Sequence, residues 1–357
     1  MITTIVSFIV VLGVLVFAHE FGHFITAKKS DIRVEEFALG FGPRLFSREK
    51  GETVYSIRAI PLGGFCNMTG EFPPDEDATE EERKIYEETK ENGRTFNQKS
   101  IWKRFLVVFM GPFMNFLLAA LIFVIIFTAF GIPIDSSQTT VIGELIPEKP
   151  ASEAGLKPGD KVVSVNGTEV ENWNEMSKLI GEAVDKEIAL QVERNGEEYA
   201  FTVTPEYSEQ SEKGVIGIFP QMIRERVGIF KAIKYGIMQT WHAITAIIMG
   251  FVQMISRRSA AEVGGPIMIA NIVGQAAQVG MANLLNWMAV ISINLGIINL
   301  LPFPALDGGR IVFVLVEAIR GKPVPPEKEG FVHFVGFILL MILMVFIIYK
   351  DIVRSIF

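Results

Sequence analysis

Four long apolar segments constrain this chain more than any other feature of its sequence. They run from residue 2 to about 27, from 105 to 132, from about 284 to 306 and from 331 to 349. Each is close to the ~20 residues that an α-helix needs to cross a bilayer. Half of the 357 residues are hydrophobic and only 20% are charged. We therefore predict a polytopic α-helical membrane protein with about four transmembrane helices.

A fifth segment, residues 227–255, is less apolar because charged and polar residues interrupt it, among them Lys231, Lys234 and His242. This pattern favours an amphipathic helix at the membrane interface over a further span. We expect residues 227–283 to contain this helix and a linker.

Basic residues orient the predicted spans, because loops rich in lysine and arginine stay in the cytoplasm. Such residues follow the first span, precede the second and lie between the third and fourth: Lys28, Lys29, Arg33, Lys99, Lys103, Arg104, Arg310, Arg320, Lys322 and Lys328. Residues 28–104 therefore form a predicted cytoplasmic loop, and residues 133–283 are expected outside the cell.

Within the cytoplasmic loop, residues 54–60 alternate as a strand does, and glycines punctuate the surrounding segment. We expect a membrane-associated β-region over about residues 33–65. Residues 71–94 are acidic and polar, as is typical of a solvated surface helix and linker.

Residues 138–206 have the pattern of one compact α+β module. Asn166-Gly167 and Asn195-Gly196 are hairpin signals, and Asn172 followed by Glu175 can cap a helix. The run Ala-Gly-Leu-x-x-Gly-Asp before the first strand, followed by Val-Asn-Gly, resembles a PDZ domain. Such domains bind extended peptides as an added strand. The alternative is a generic small sandwich that only spaces the spans.

The motif His19-Glu20-Phe21-Gly22-His23 lies in the first predicted span. Residues four apart share one helix face, so two imidazoles there can bind one Zn²⁺, and Glu20 can accept a proton from water. If the apolar core starts near Ile5, His19 lies ~21 Å into a ~30 Å core. Ionisable residues at such a depth indicate function.

A catalytic zinc needs a third protein ligand. The better candidate is Asp307, which follows a segment broken by Pro302 and Pro304, since irregular backbone inside a membrane suits a buried polar site. A helix-capping role for Asp307 is the alternative. His242 and His333 are weaker candidates, and we expect them at a surface or interface.

Together the motifs resemble the site-2 protease family of intramembrane zinc metalloproteases, in its bacterial RseP/RasP-type branch with a single PDZ domain. The resemblance covers nearly the whole chain. It extends over the His19–His23 motif, residues 40–43, Gly111-Pro112 with Asn115, Gly265-Pro266 and residues 299–309.

This resemblance implies that His19, His23 and Asp307 bind Zn²⁺ and that Glu20 is the catalytic base. It further implies that Asn294 and Asn299, on the third span, hold the substrate backbone; hydrogen bonding between helices is the alternative for both. The β-region at 33–65 would pair with an unwound substrate segment.

The resemblance also implies the biology: a multi-pass protein of the bacterial cell membrane that acts in a stress response. Its active site would lie toward the cytoplasmic side and its PDZ domain outside. The expected substrates are single-span proteins already trimmed by another protease, such as anti-sigma factors or remnant signal peptides. The PDZ domain would bind a peptide or a new C-terminus.

Two rival functions are a zinc-binding transporter and a PDZ scaffold with a silent metal site. A net charge of −7 argues against nucleic acid as a partner. With one cysteine, Cys66, the chain cannot form an intrachain disulfide.

Overall fold

The structure is a computed structural model that describes residues 2–71, 74, 78–133, 138–208, 211, 213–221, 224–257 and 265–356. The chain divides into two compact units. The first comprises residues 1–127 and 228–357, and the second comprises residues 128–227.

The described helices are α1 (Ile2–Lys29), α2 (Glu80–Glu91), α3 (Ile101–Phe130), α4 (Pro150–Glu153), α5 (Trp173–Gly181), α6 (Ile229–Arg257), α7 (Pro266–Val279), α8 (Met281–Leu300), α9 (Asp307–Arg320) and α10 (Pro326–Ile356). The strands are β1 (Val34–Lys50), β2 (Thr53–Met68), β3 (Ile132–Pro133), β4 (Ile142–Leu145), β5 (Lys161–Val165), β6 (Thr168–Glu169), β7 (Ile188–Arg194), β8 (Glu197–Val203), β9 (Glu206–Ser208), β10 (Lys213–Val215), β11 (Ile218–Pro220) and β12 (Arg224–Glu225).

Four described helices are long and apolar enough to cross a membrane: α1, α3, α8 and α10. They overlap the four predicted spans and agree with the predicted number, although α8 ends at Leu300 rather than near residue 306. The fifth apolar segment forms α6, which has 29 residues and is not among these four. Its interfacial position remains a prediction. The segment expected as a linker contains a further helix, α7, whose Val273 packs against Val11 and Leu15 of α1.

The predicted β-region contains β1 and β2. The segment Val34–Leu39 pairs on one side with residues 54–57 and on the other with residues 64–68, while residues 44–50 pair with 53–58. Residues 64–68 therefore lie at an edge of this sheet, and no further described strand pairs with them.

Glu36 is the polar centre of this sheet and is 7% exposed. Its carboxylate accepts hydrogen bonds from Arg44, Ser56 and Arg58. Burial alone would raise the pKa of Glu36, but these hydrogen bonds lower it to about 2. The buried charge therefore joins three distant segments of the two strands.

A break in the backbone separates α8 from α9. Helix α8 ends at Leu300, Pro302 and Pro304 follow, and α9 begins at Asp307. Proline has no amide hydrogen to donate and kinks or breaks a helix, and with two prolines in this segment α8 ends before the aspartate. Ala305 adopts a left-handed backbone conformation, with φ of +73°.

The second unit is built around an aliphatic core that includes Val162, Met176 and Leu190. A four-stranded sheet in the order β6-β5-β7-β8 covers it. Both Asn-Gly pairs have positive φ at each residue and join paired strands, which confirms the predicted hairpins. The side chain of Asn172 accepts from the Glu175 amide at 3.0 Å, which confirms the predicted cap of α5.

The second unit extends past residue 206, where the α+β module was expected to end. Strand β11 pairs with β4, and β10 pairs with β9. Ile216 belongs to the aliphatic core. A cavity of about 500 Å³ opens beside α5, lined by Trp173, Met176, Ile180 and residues 214–219.

Candidate metal centre

Helix α1 places His19 and His23 on one face, one turn apart. Their Nε2 atoms lie 3.3 Å from each other. Both residues are buried, at 9% and 8% exposure. Burial of two polar rings in an apolar span is costly unless their nitrogens find partners, so the pair needs a third group.

Asp307, the first residue of α9, supplies that group. Its Oδ2 atom lies 3.1 Å from His19 Nε2 and 3.4 Å from His23 Nε2. These are the described His, Cys, Asp and Glu residues whose ligand atoms cluster closely enough to hold a metal ion. The structure thus brings together the three residues that sequence analysis named as ligands.

The geometry of this cluster fits a zinc ion. Nitrogen and oxygen ligands of a tetrahedral Zn²⁺, at ~2.0–2.2 Å from the metal, lie ~3.3 Å from one another. The three observed separations, 3.1, 3.3 and 3.4 Å, match this spacing. In addition, Asp307 Oδ2 is buried and forms no hydrogen bond with a described residue. The donor set and the burial of this carboxylate oxygen beside two imidazole nitrogens both suit a cation.

The second nitrogen of His23 is held by α3. Its Nδ1 lies 2.8 Å from the carbonyl oxygen of Val107. A carbonyl only accepts, so Nδ1 carries the proton and donates it, which leaves the lone pair of Nε2 directed at the cluster. Metal-binding histidines are typically oriented in this way.

Asn115 on α3 plays the same part for His19. One end of its amide lies 3.1 Å from His19 Nδ1, assigned as Nδ2, while its Oδ1 is buried without a partner among the described residues. A 180° rotation of the amide would place Oδ1 in this position, where it would accept a hydrogen bond from His19 Nδ1. That arrangement frees His19 Nε2 for a metal.

Close approach of α1 and α3 makes these contacts possible. A Cβ atom at Gly111 would lie 2.1 Å from His23 Nε2, and one at Gly22 would lie 2.1 Å from the carbonyl oxygen of Met110. No side chain fits at either position. In the sequence, Gly111 and Asn115 belong only to the family resemblance, which implies no role for either. An isolated Gly-x-x-x-Asn pattern in an apolar helix is too common to indicate one.

The cluster opens into a cavity of about 390 Å³, which Glu20 also lines. Residues 64–68, the edge segment of the β-sheet, form part of its wall. A Cβ atom at Gly64 would lie 3.2 Å from Glu20 Cγ. This sheet edge therefore lies beside the predicted base and the three predicted ligands.

The two asparagines predicted to bind substrate lie in different surroundings. Asn299 lines the cavity. Asn294 is half-buried on α8 and does not line it. Their proposed role in binding substrate remains a prediction for both.

Charged residues anchor α9, the helix that begins with Asp307. Arg104 of α3 donates to Glu317 of α9 through two nitrogens, at 2.5 and 2.9 Å. Arg310 and Glu71 form a second ion pair, and both line the cavity. Paired arginine–carboxylate contacts have a defined geometry, so they fix how α9 presents its first residue.

The two remaining histidines lie outside the cluster. His242 is exposed on α6, as expected. His333 is 8% exposed, so it is not the surface residue that was one of the two expectations for it. His333 is buried because it packs inside the first unit against the connection between α8 and α9, where it contacts Ala305.

The sequence is similar to those of a known peptidase family. The sequence matches the family described as Peptidase family M50 over residues 7–343. Zinc metalloprotease RasP from Geobacillus kaustophilus is 39% identical, over 98% of this chain and 97% of its own length. The regulator of sigma-W protease RasP from Bacillus subtilis is 34% identical, over 99% of each chain.

Among solved structures, the PDZ domain of the SdrC-like protein from Listeria monocytogenes matches 25% of this chain and 93% of its own length. The identity is 14% and the TM-score is 0.21. At that similarity the PDZ identity of the second unit remains a prediction.

Proposed function

Because this chain belongs to peptidase family M50, we propose that it cleaves single-span membrane proteins within their transmembrane segments. Family membership makes the chain a site-2-type metallopeptidase. We further propose the place of cleavage, the roles of individual residues and the class of substrate. The proposed enzyme is a zinc endopeptidase of regulated intramembrane proteolysis.

One observation carries the proposal. His19, His23 and Asp307 converge within 3.1–3.4 Å of one another, and two of them lie on a helix that is apolar enough to cross a membrane. We assign these three residues as the zinc ligands. A hydrolytic site at this position on α1 gives access to peptide bonds inside the bilayer.

When bound, zinc supplies Lewis acidity and lowers the pKa of a coordinated water. Glu20 lines the same cavity as the three ligands, and its carboxylate takes the proton of the attacking water. The water oxygen forms a bond to the scissile carbonyl carbon, and Glu20 then passes the proton to the amine nitrogen as the C–N bond breaks. Asn115 and the Val107 carbonyl keep the two imidazoles in the required tautomers.

A substrate helix must unwind before its carbonyl can be attacked, since its carbonyls are engaged in internal hydrogen bonds. The edge segment 64–68 offers unpaired backbone groups beside Glu20. An unwound substrate segment can add to this edge as a strand. We propose that Asn299 binds the released substrate backbone nearby, and that Asn294 does so on the same helix.

The proposed substrates are membrane proteins already trimmed by another protease, such as anti-sigma factors and remnant signal peptides. The name of the Bacillus subtilis relative, a regulator of sigma-W protease, supports the anti-sigma class. Basic residues beside the spans support an active site toward the cytoplasmic face of a bacterial cell membrane.

We further propose that the second unit is an extracytoplasmic PDZ domain that binds a peptide or a newly formed C-terminus. Its cavity beside α5 is large enough for several side chains and has an apolar wall of Trp173, Met176 and Ile180. Strand β11 borders the same cavity, so a peptide could add to it as a strand.

The test is cleavage of a tagged, pre-trimmed single-span substrate by the full-length protein in liposomes. Wild type is compared with Glu20→Gln, and zinc content is measured in both. We expect cleavage to fall about 10²–10⁴-fold while zinc is retained. Glu87→Gln is the matched control, because Glu87 is exposed on α2, and it should cleave as wild type does.

The rival functions predict other results. A scaffold with a silent metal site would hold zinc and cleave nothing, whether or not Glu20 is intact. A transporter would move zinc across the liposome membrane without cutting the substrate. Equal cleavage by wild type and Glu20→Gln would contradict the assignment of Glu20 as the base.

A further inference from the structure

His333 on α10 is a buried titratable residue that the proposed chemistry does not use. Its Nδ1 accepts a hydrogen bond from the backbone amide of Ala305 at 2.9 Å. Ala305 lies two residues before Asp307, in the irregular connection between α8 and α9. The histidine therefore contacts the short segment that presents the predicted third ligand.

Ala305 is held in an unfavourable conformation. Its φ of +73° lies in the left-handed region, which is unfavourable for a residue with a Cβ atom. Such a conformation persists only where surrounding contacts require it. The hydrogen bond from the Ala305 amide to His333 is one such contact, and it acts on the strained residue itself.

The tautomer of His333 follows from this contact. Since Nδ1 accepts, the proton lies on Nε2. Nε2 forms no hydrogen bond with a described residue, and Glu329 Oε1 lies 3.9 Å from it. The ring also lies against Phe313 of α9, with 5.4 Å between ring centroids. Both neighbours keep the ring in place without competing for Nδ1.

One turn further along α10, a second contact locks the same segment. A Cβ atom at Gly336 would lie 2.4 Å from Pro304 Cβ and 2.6 Å from the Pro304 carbonyl oxygen. Helix α10 is thus seated directly on Pro304 and Ala305. Its position on the irregular segment is determined by shape at Gly336 and by a hydrogen bond at His333.

We propose that His333 is a positioning residue for the metal centre: its Nδ1 holds Ala305 in the left-handed conformation that directs Asp307 toward His19 and His23. This inference rests on the proposed function, because it assumes that Asp307 is a zinc ligand. It assigns α10 a role in the metal site although that helix supplies no ligand.

The competing explanation is that His333 only packs α10 against the first unit. A pair of amide variants separates the two. In His333→Asn the Oδ1 atom takes the place of Nδ1, because both are bonded to Cγ, so the acceptor is retained. In His333→Gln the corresponding oxygen is one bond further out and cannot reach Ala305 in the same way. His333→Leu removes the acceptor entirely.

The experiment uses full-length protein in detergent and follows the loss of zinc to a chelator, together with the visible absorption of Co²⁺ bound in its place. We expect His333→Leu and His333→Gln to lose zinc about tenfold faster than wild type and to show an altered Co²⁺ spectrum. His333→Asn should restore both properties. His242→Gln, on the exposed face of α6, should match wild type.

Two results would overturn the inference while leaving the proposed function intact. Wild-type zinc loss in His333→Leu and His333→Gln would show that the acceptor is not needed. Equal defects in all three variants, with a matching fall in thermal stability, would show a packing role only. If wild-type protein bound neither metal, the proposed zinc site would fail, and this inference with it.

Discussion

The metal centre of the first unit and the core of the second unit bury opposite kinds of groups. Around His19, His23 and Asp307 the interior is polar, and each nitrogen or oxygen requires a specific partner. The core of the second unit is aliphatic, with Leu190 and Met176 fully buried. Apolar contacts have no direction and scale with buried area, whereas the polar centre depends on the position of single atoms.

From this difference we expect mutations in the two regions to affect different properties of the protein. A change in the aliphatic core should reduce the stability of the second unit and leave metal binding unaffected. A change near the metal centre should affect metal and activity, with little effect on the second unit. The following predictions test that separation.

The largest expected effect is Leu190→Ala, which should destabilise the second unit by about 2–5 kcal/mol. Leu190 is 0% exposed, so truncation removes apolar contacts and leaves a cavity. Hydrogen exchange resolved by peptide should show loss of protection within residues 128–227 and unchanged protection of α1. Glu193→Ala, exposed on the same strand, is the control. Loss of zinc in Leu190→Ala would break the separation.

Gly111→Ala should reduce cleavage about 10²-fold, because its Cβ would lie 2.1 Å from His23 Nε2 and displace the ring. Zinc content should fall in parallel. Gly13→Ala adds the same methyl group to α1 at a position with no atom within 4 Å and should retain wild-type activity. Full activity in Gly111→Ala would mean that α1 and α3 are further apart than the structure places them.

Asn115→Ala should weaken zinc binding about 10–100-fold, since His19 Nδ1 loses its partner. Asn115→Asp keeps an oxygen acceptor and should retain most of the affinity, which a zinc competition titration would measure. If Asn115→Asp weakened zinc binding as much as Asn115→Ala, the amide nitrogen rather than the oxygen would be the group that faces His19.

The smallest effect concerns Glu52, a charged residue of the first unit outside the metal centre. Burial alone would raise its pKa, but hydrogen bonds from Arg94 and Lys28 lower it to about 2 from 4.5. Ionised Glu52 therefore makes its full contribution to the free energy of unfolding above pH ~4.5, and this contribution is lost as the pH falls toward 2. After allowance for solvent screening, we expect a loss on the order of 1 kcal/mol.

Cys66 can report this change, because it is the only cysteine and is buried. Burial raises the pKa of its thiol and leaves the residue only 9% exposed, so its labelling by a pyridyl disulfide should be slow and should accelerate when the surrounding sheet opens. Labelling should accelerate between pH 4.5 and 3 in wild type and change less in Glu52→Gln. An identical pH response in both proteins would exclude Glu52 as the titrating group.

Local patterns predicted the second unit well in its details. The Asn-Gly turns and the Asn172 cap depend on residues within a few positions of each other, and the structure confirms them. The end of the unit was harder to place. Strand β11 pairs with β4, which lies far earlier in the sequence, and no local pattern marks such a contact.

Local patterns also identified the four spans and the pair His19 and His23, because helix length and i, i+4 spacing are written directly into consecutive residues. The sequence could suggest Asp307 as the third ligand but could not show that it reaches the histidines. That contact depends on the break after α8, on the Arg104–Glu317 pair and on the contact of α10 with Ala305.

Residues that act by proximity left no signal in the sequence. Gly111 matters because α1 passes within van der Waals contact of it, and His333 matters because a strained amide lies opposite its ring. Hydrophobicity and helical periodicity specified which segments are helices and what chemistry α1 carries. Packing between distant segments specified the ligand geometry. The separations of 3.1–3.4 Å among His19, His23 and Asp307 arise from contacts between residues that no sequence pattern connects.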